Sequence, residues 1–242
     1  MSGSSSWSLA TTGGSIGNST RAVFVRAPTR FLSEFESKRR LASYGIQSVS
    51  ERLVFSASEA EEAGRELGFP VVAKLCGEGI AHKTERGLVR LGLATPEMVR
   101  VAAEELLAKA RPEDGETGVL LGEMVFGTRE LIAGVVDDPQ FGKCVMIGFG
   151  GIFAEVLADV SFRLLPLTRQ DAIEMIDDLE TQAVLEDFRG EPPVNREKLV
   201  DILLGLSSFA EADESIVSVD VNPLIVSQGI PIAVDALLEV RA

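Results

Sequence analysis

The sequence predicts an α+β fold arranged as two lobes. Helical and strand patterns interleave along the chain, but strand patterns gather in its second half, which argues against a single parallel sheet of alternating units. The 242 residues are 45% hydrophobic, enough to bury one large core or two smaller ones. A polar stretch at 111–117 carrying Pro112 and Gly115 then offers a boundary between two lobes. The expected organisation is a disordered tail or linker over 1–27, an N-terminal lobe over 28–116 and a C-terminal lobe over 117–242.

Each element has a local reason. Residues 30–44 carry Leu32, Phe35 and Leu41 at helical spacing, with Gly45 as a stop. A short strand follows at 52–55. Ser58, Glu59, Ala60 and Glu61 form a capping-box pattern for a helix ending at Gly68-Phe69-Pro70. Residues 71–75 form a strand, and Val89, Leu91 and Leu93 alternate with Arg90 and Gly92 as a half-buried one. Thr95-Pro96 caps a helix whose inward face is Met98, Val99, Ala102, Ala103, Leu106, Leu107 and Ala110. Strands follow at 118–124, 130–136, 143–148 and 152–157. Thr168 and Asn195 open two more helices, the second with Leu199, Ile202, Leu203, Leu206 and Phe209 inward. Strands at 215–221, 224–226 and 230–234 complete the chain.

Composition narrows the function. With 23 basic and 37 acidic residues the formal charge is −14, which disfavours nucleic acid and anionic membranes as general partners. Aromatic residues are only 6%, so the core is built from Val, Leu, Ile and Ala. No apolar run reaches the length of a membrane span, and residues 1–20 lack the basic start and apolar stretch of a secretory signal. The cytoplasm is the expected location. Cys76 and Cys144 show no metal spacing and read as two thiols rather than a disulfide.

Several constellations bear chemistry. Val71, Ala73 and Leu75 share one strand face, leaving Lys74 with Val72 on the other. That lysine is either a solvated edge residue or an ammonium aimed at phosphate oxygens. His82, the only histidine, lies in the loop behind it and is either a surface imidazole or a nucleophile for phosphoryl transfer. Asp220 and Asn222 stand at i and i+2 on a strand and so face one way. If 224–226 and 230–234 form a hairpin, Asp235 returns to the same end, and the three become hard oxygen donors suited to Mg²⁺. A turn is the alternative reading. Gly150 and Gly151 would let backbone amides approach phosphate, with Arg163 neutralising charge and Glu155 and Asp159 orienting it or supporting metal; a plain turn competes. Glu123, Met124 and Val125 end an apolar strand where a backbone could read an adenine edge. No GxxxxGK[ST] motif is present, and the glycine cluster opens no helical pattern, so neither a P-loop nor a dinucleotide fingerprint is expected.

Taken in order, these stretches resemble the ATP-grasp β part of ADP-forming (NDP-forming) acyl-CoA synthetases, the acetate–CoA ligase (ADP-forming) family. The resemblance runs from Gly68-Phe-Pro-Val-Val-Ala-Lys74 through His82-Lys-Thr-Glu85, Asp138-Pro-Gln-Phe-Gly142, Gly148 to Arg163 and Arg189-Gly-Glu-Pro-Pro193, to Val219-Asp-Val-Asn-Pro-Leu-Ile-Val226. It implies an ATP-grasp fold, two lobes with the nucleotide between them. It also implies an acid–thiol ligase subunit working in acyl-CoA + ADP + phosphate ⇌ acid + CoA + ATP, with ATP/ADP and Mg²⁺ bound. In this reading His82 is a transient phosphohistidine. Lys74 holds phosphate, and Glu123 with the following Met124 and Val125 backbone forms the adenine hinge. Gly150, Gly151 and Glu155 line the nucleotide, Arg163 lies on the phosphate side, and Asp220, Asn222 and Asp235 hold metal. The required partner is a CoA-binding α subunit, because these residues include no CoA-binding or acid-ligating half.

The family loop reads His-Lys-Ser-(Asp/Glu)-Val-Gly-Gly-Val; here Arg86 replaces the valine and Leu88 the second glycine, removing backbone freedom at its far end. A catalytically reduced nucleotide-binding regulatory subunit is therefore one alternative. A succinate–CoA ligase-like β subunit and an ATP-grasp carboxylate–amine ligase are others; neither calls for a histidine in this loop.

Overall fold

The computed structural model describes residues 28–80, 83–138, 140–151, 159–187 and 190–242. Two antiparallel sheets organise them. The smaller runs β2 (Glu51–Val54), β5 (Gly118–Glu123), β3 (Val71–Cys76), β4 (Val89–Leu93). Helices α2 (Ala57–Leu67) and α3 (Pro96–Leu107) cover one face of it. The larger runs β1 (Thr29–Phe31), β11 (Ala236–Arg241), β9 (Ile216–Ser227), β6 (Arg129–Asp138), β7 (Gly142–Phe149), β8 (Val160–Leu164), with β10 (Ile230–Ala233) folded back on β9. Helices α1 (Glu34–Ala42), α4 (Arg169–Asp177) and α5 (Arg196–Ala212) pack on its closed face.

The small-lobe core joins Val71, Ala73 and Leu75 of β3 to Val99, Ala103 and Leu106 of α3. Expected helix signals operate, with one displacement. Thr95 Oγ1 accepts from Met98 N, with Pro96 in the first turn. The first cap is Ser56 rather than Ser58: Ser56 Oγ accepts from Glu59 N, while the Glu59 carboxylate accepts from Phe55 N, one residue before the cap, so the expected capping box is not closed. Thr168 and Asp171 close a reciprocal box at α4, and Asn195 caps α5. Leu199, Ile202, Leu203, Leu206 and Phe209 are all buried, as their spacing requires. On α3, Met98 points outward instead, and Ala110 lies exposed beyond the end of the helix.

Pairing moves the expected lobe boundary. Strand β5 lies between β2 and β3, with Leu120 opposite Lys74, so it belongs to the small lobe, and the chain crosses between sheets after Glu123. Residues 28–46 belong with the large lobe. Thr29–Phe31 pairs with β11, although the helix was expected to start at residue 30, and Leu32, Leu41 and Ile46 enter the large core. Helix α1 starts at Glu34 with Ser33 as its cap. The strands expected at 215–221 and 224–226 are one strand, and β8 and β11 were not expected. The strand expected at 152–157 lies outside the described residues. Cys76 and Cys144 are free thiols.

Leu88 has a plain role. It is 1% exposed and packs in the small-lobe core. Gly87 keeps the positive φ of +62° that the turn needs, and Leu88 N donates to Lys83 O. Arg86 forms a two-pronged ion pair with buried Asp114, at 2.7 and 2.9 Å. The side chains that replace the family valine and glycine are thus structural anchors for the turn. Leu88→Ala is expected to lower unfolding free energy by about 2–5 kcal/mol, the usual cost of emptying a core leucine site, measured by urea denaturation.

Candidate functional site

The open faces of the two sheets meet at a cleft of about 240 Å³. Strand alternation builds it: with Val71, Ala73 and Leu75 turned into the core, Val72 and Lys74 must face the cleft. Leu91, Leu120, Val125, Ile225 and Val234 complete an apolar wall. Leu91 is 66% exposed, unusual for a strand leucine and accounted for by this wall. Glu123, Met124 and Val125 line the edge where the chain crosses between sheets. Met124 N donates to Pro70 O, whereas Val125 N has no acceptor among the described residues.

Lys74 Nζ enters the cleft with its charge already engaged. It donates to Glu34 Oε1 and to Val234 O, both at 2.6 Å, and lies 3.7 Å from Asp235 Oδ2. Glu34, on the first turn of α1, is the hub of the local charge: Lys38, Lys74 and Lys83 each place an ammonium 2.6 Å from its carboxylate. Lys38 also reaches Glu51 at 2.5 Å, and Lys83 reaches Asp235 Oδ1 at 2.8 Å. Burial alone would raise the Glu34 carboxyl, but the three ammonium charges, Lys74 foremost, outweigh it and hold it far below the usual carboxylate range. Burial would lower Lys38 and Lys83; their carboxylate partners reverse this and keep both charged. Glu51 goes the other way, because desolvation prevails over Lys38 and lifts it above the ordinary value. Sequence reasoning missed Glu34, Lys38, Glu51 and Lys83. The available signal was Glu34 and Lys38 at i and i+4 on the face that carries Leu41 inward.

Asp220 and Asn222 fall where the period of two sends them. Val219 and Val221 are buried while Asp220 and Asn222 stand on the open face of β9. The β9–β10 hairpin forms in the expected sense, and Asn222 N donates to Asp235 O, bringing Asp235 to the same end. Partial desolvation, then the neighbouring Asp235 charge, raises the Asp220 carboxyl, with Lys83 pulling it back. Two carboxylates that repel in this way favour a cation between them. Among the described residues no group of three or more His, Cys, Asp and Glu is placed to hold a metal. A divalent ion would therefore need Asn222 and phosphate oxygens to fill its shell, a donor set that suits Mg²⁺.

Other expected residues are not brought here. Arg163 stands opposite Val145 on edge strand β8 and so shares the helix-covered face, whereas Asp220 lies on the open face. Its guanidinium pairs with Asp178 at 2.5 Å, after α4, not with the phosphate side of the cleft. The Gly150 amide is taken by Glu130 O at 2.8 Å, so it is not a phosphate donor. Gly151 has φ +57°, and a Cβ there would lie 2.9 Å from the Glu130 carboxylate, which explains its glycine as a turn. Asp159 accepts from Glu180 N and Thr181 N, tying down the chain after α4 rather than supporting a metal. His82 and Glu155 lie outside the described residues.

An ATP-grasp domain family model matches residues 24–240. The acetate–CoA ligase [ADP-forming] I subunit beta of Pyrococcus furiosus is 39% identical over 215 residues, 88% of this chain and 93% of that one. The chain belongs to the ATP-grasp family of ADP-forming acetate–CoA ligase β subunits. A solved relative in this ATP-grasp family is the dinucleotide forming acetyl-coenzyme A synthetase 1 of Ca. Korarchaeum cryptofilum, in complex with coenzyme A and Ca-AMPCP. It superposes with TM-score 0.81 at 38% identity, covering 88% of this chain and 94% of that one. The same enzyme with Mg-AMPPCP, described with its phosphohistidine segment pointing towards the nucleotide binding site, gives TM-score 0.74 at 37% identity over 86% and 92% of the two chains. By its family this chain is a nucleotide-binding domain. Among the described residues no helix is long and apolar enough to cross a membrane.

Proposed function

We propose that this chain is the nucleotide-side subunit of a cytoplasmic ADP-forming acyl-CoA synthetase. It works with a CoA-binding α subunit in acyl-CoA + ADP + phosphate ⇌ acid + CoA + ATP. The observation that carries the reading is the aim of Lys74: a strand lysine that lines an apolar cleft with its ammonium 3.7 Å from Asp235, whose carbonyl accepts from Asn222 N at the same end of β9. In this arrangement the adenine fills the slot between Leu91, Leu120 and Ile225, with Val125 N–H as its backbone donor. Lys74 grips phosphate as a point charge. Asp220, Asn222 and Asp235 hold Mg²⁺, which when bound offsets phosphate charge. His82 is the relay: in the ATP-forming direction its ring nitrogen gives up phosphorus to the terminal oxygen of ADP as the N–P bond breaks, and the reverse step reloads it. The anchored turn after it, held by Leu88 and the Arg86–Asp114 pair, favours this reading over a reduced regulatory subunit.

The test is phosphorylation of the reconstituted enzyme. With the α partner, γ-³²P-ATP and Mg²⁺, an acid-labile, base-stable label should appear on this chain and vanish in His82→Asn. A label that persists in His82→Asn removes the histidine from the mechanism.

A further inference from the structure

We propose that Glu51 selects the base of the nucleotide: its second carboxylate oxygen accepts from the 6-amino group of adenine and turns away a purine with a 6-oxo group. This inference rests on the proposed reading of the cleft as the nucleotide slot, and deepens it.

The placement follows from register. On edge strand β2, Glu51 stands opposite Gly122 of β5, and Gly122 stands opposite Val72 of β3 on its other side. Directly opposed residues share a sheet face, so Glu51, Gly122 and Val72 form one row across the open face, and all three line the cleft. Two residues further along each strand the same face carries Leu120 and Lys74. On the other side the row borders Glu123, where the segment that crosses between sheets begins. Gly122 makes room for the arrangement. A Cβ there would lie 3.3 Å from both Cγ and Oε1 of Glu51, so its absence lets the carboxylate lie over β5.

The carboxylate is only half used. Oε1 accepts from Lys38 Nζ at 2.5 Å, and Oε2 has no donor among the described residues. Lys38 has a counter-ion without it, because Glu34 Oε1 lies 2.6 Å from the same ammonium. Nor does Lys38 offset what burial costs Glu51, since desolvation leaves that carboxyl above its ordinary value. An acceptor so placed gains most from a donor that the ligand brings. The wall around it, Val49, Val72, Leu91, Leu120 and Ile225, is aliphatic and offers a base only contact with its flat faces. Adenine carries an amino donor at C6, whereas guanine and hypoxanthine carry a carbonyl oxygen there, which would face the carboxylate as a second acceptor. A site built to accept from a ligand N–H discriminates strongly against an analogue that lacks it.

The experiment measures, by calorimetry on the reconstituted synthetase, the affinities of three Mg²⁺-diphosphates whose C6 bears an amino group, an oxo group or hydrogen: ADP, inosine diphosphate and purine riboside diphosphate. Wild type should bind ADP about tenfold tighter than the purine riboside compound and about 100-fold tighter than the inosine one, the scale of one hydrogen bond lost and then of two acceptors opposed. In Glu51→Gln, Lys38 keeps the amide oxygen, so the amide N–H₂ faces the slot as a donor. That variant should weaken ADP about tenfold and strengthen the inosine compound about tenfold, while the purine riboside compound keeps its affinity. Lys38→Met with Glu51→Leu removes both charges of the pair together and serves if the single variant does not fold; it should bring ADP down to the affinity of the purine riboside compound. Equal losses for all three diphosphates would mark a merely structural role and overturn the proposal, as would an ADP preference unchanged from wild type. Failure of the underlying reading is distinguishable: Lys74→Met would then leave all three affinities unchanged, whereas a misassigned Glu51 leaves the Lys74→Met loss in place.

Discussion

Lys74→Met is expected to weaken ATP binding about 10- to 100-fold. A charge-assisted hydrogen bond contributes about 1.5–3 kcal/mol, and each 1.4 kcal/mol is about a factor of ten in affinity. Methionine keeps the length of the stem, so the apolar cleft wall next to Val72 and Leu120 stays filled. The control is adenosine, which fills the slot but carries no phosphate. Calorimetry should give adenosine the same affinity in variant and wild type. An equal loss for adenosine and ATP would mean that cleft shape, rather than the phosphate grip, was damaged, and an unchanged ATP affinity would remove Lys74 from the site. The variant also releases Glu34 Oε1 and Val234 O from a donor, so its stability should be measured alongside.

Glu34→Gln is expected to produce the largest stability loss, about 3–5 kcal/mol, because it leaves buried charges with one fewer counter-ion. The Glu34 side chain is 1% exposed and is shared by Lys38, Lys74 and Lys83. Its folded-state carboxyl is held below the unfolded value of 4.5. The stabilisation is therefore fully present above that value and is lost as pH falls through the folded one. Glu51 and Asp220 are raised and have the opposite sign: folding gains from their protonation as pH falls through their raised values. Lys38 and Lys83 are raised, so their contribution holds below about the ordinary lysine value and fades only at strongly alkaline pH. The difference between wild type and Glu34→Gln isolates the first effect. It should be constant from pH 6 to 8 and shrink as the pH falls below about 4.5, the ordinary glutamate range; a difference independent of pH in urea melts would contradict a carboxylate held ionised by lysines.

The readable and unreadable parts of this chain divide by the range of the interactions. Lys74, Asp220 and Asn222 were legible because strand alternation is a local rule: once Val71, Ala73 and Leu75 are inward, Lys74 is outward. Helix caps were legible for the same reason, and the first was expected at Ser58 instead of Ser56 only because two serines compete within one turn. Arg163 shows the limit. Its motif context was strong, yet the face it occupies depends on register with Val145 across β7, and no neighbour in sequence sets that register. The placement of β5 beside β3, and of Thr29–Phe31 beside β11, had no local signal either. Glu34 was passed over because charged residues near a helix start are ordinary on a solvated surface; here that turn lies under the cleft.

By itself the sequence determined that there would be an α+β fold with aliphatic cores, and which strand faces turn outward. Those follow from periodicity, capping and motif, which act within a few residues. Only the tertiary structure decided that Glu34 gathers three ammonium groups, that Lys83 bridges to Asp235 and that Arg163 faces away. Those depend on which sheet faces which, a choice made by burying apolar faces over separations of up to 152 residues for the Lys83–Asp235 pair.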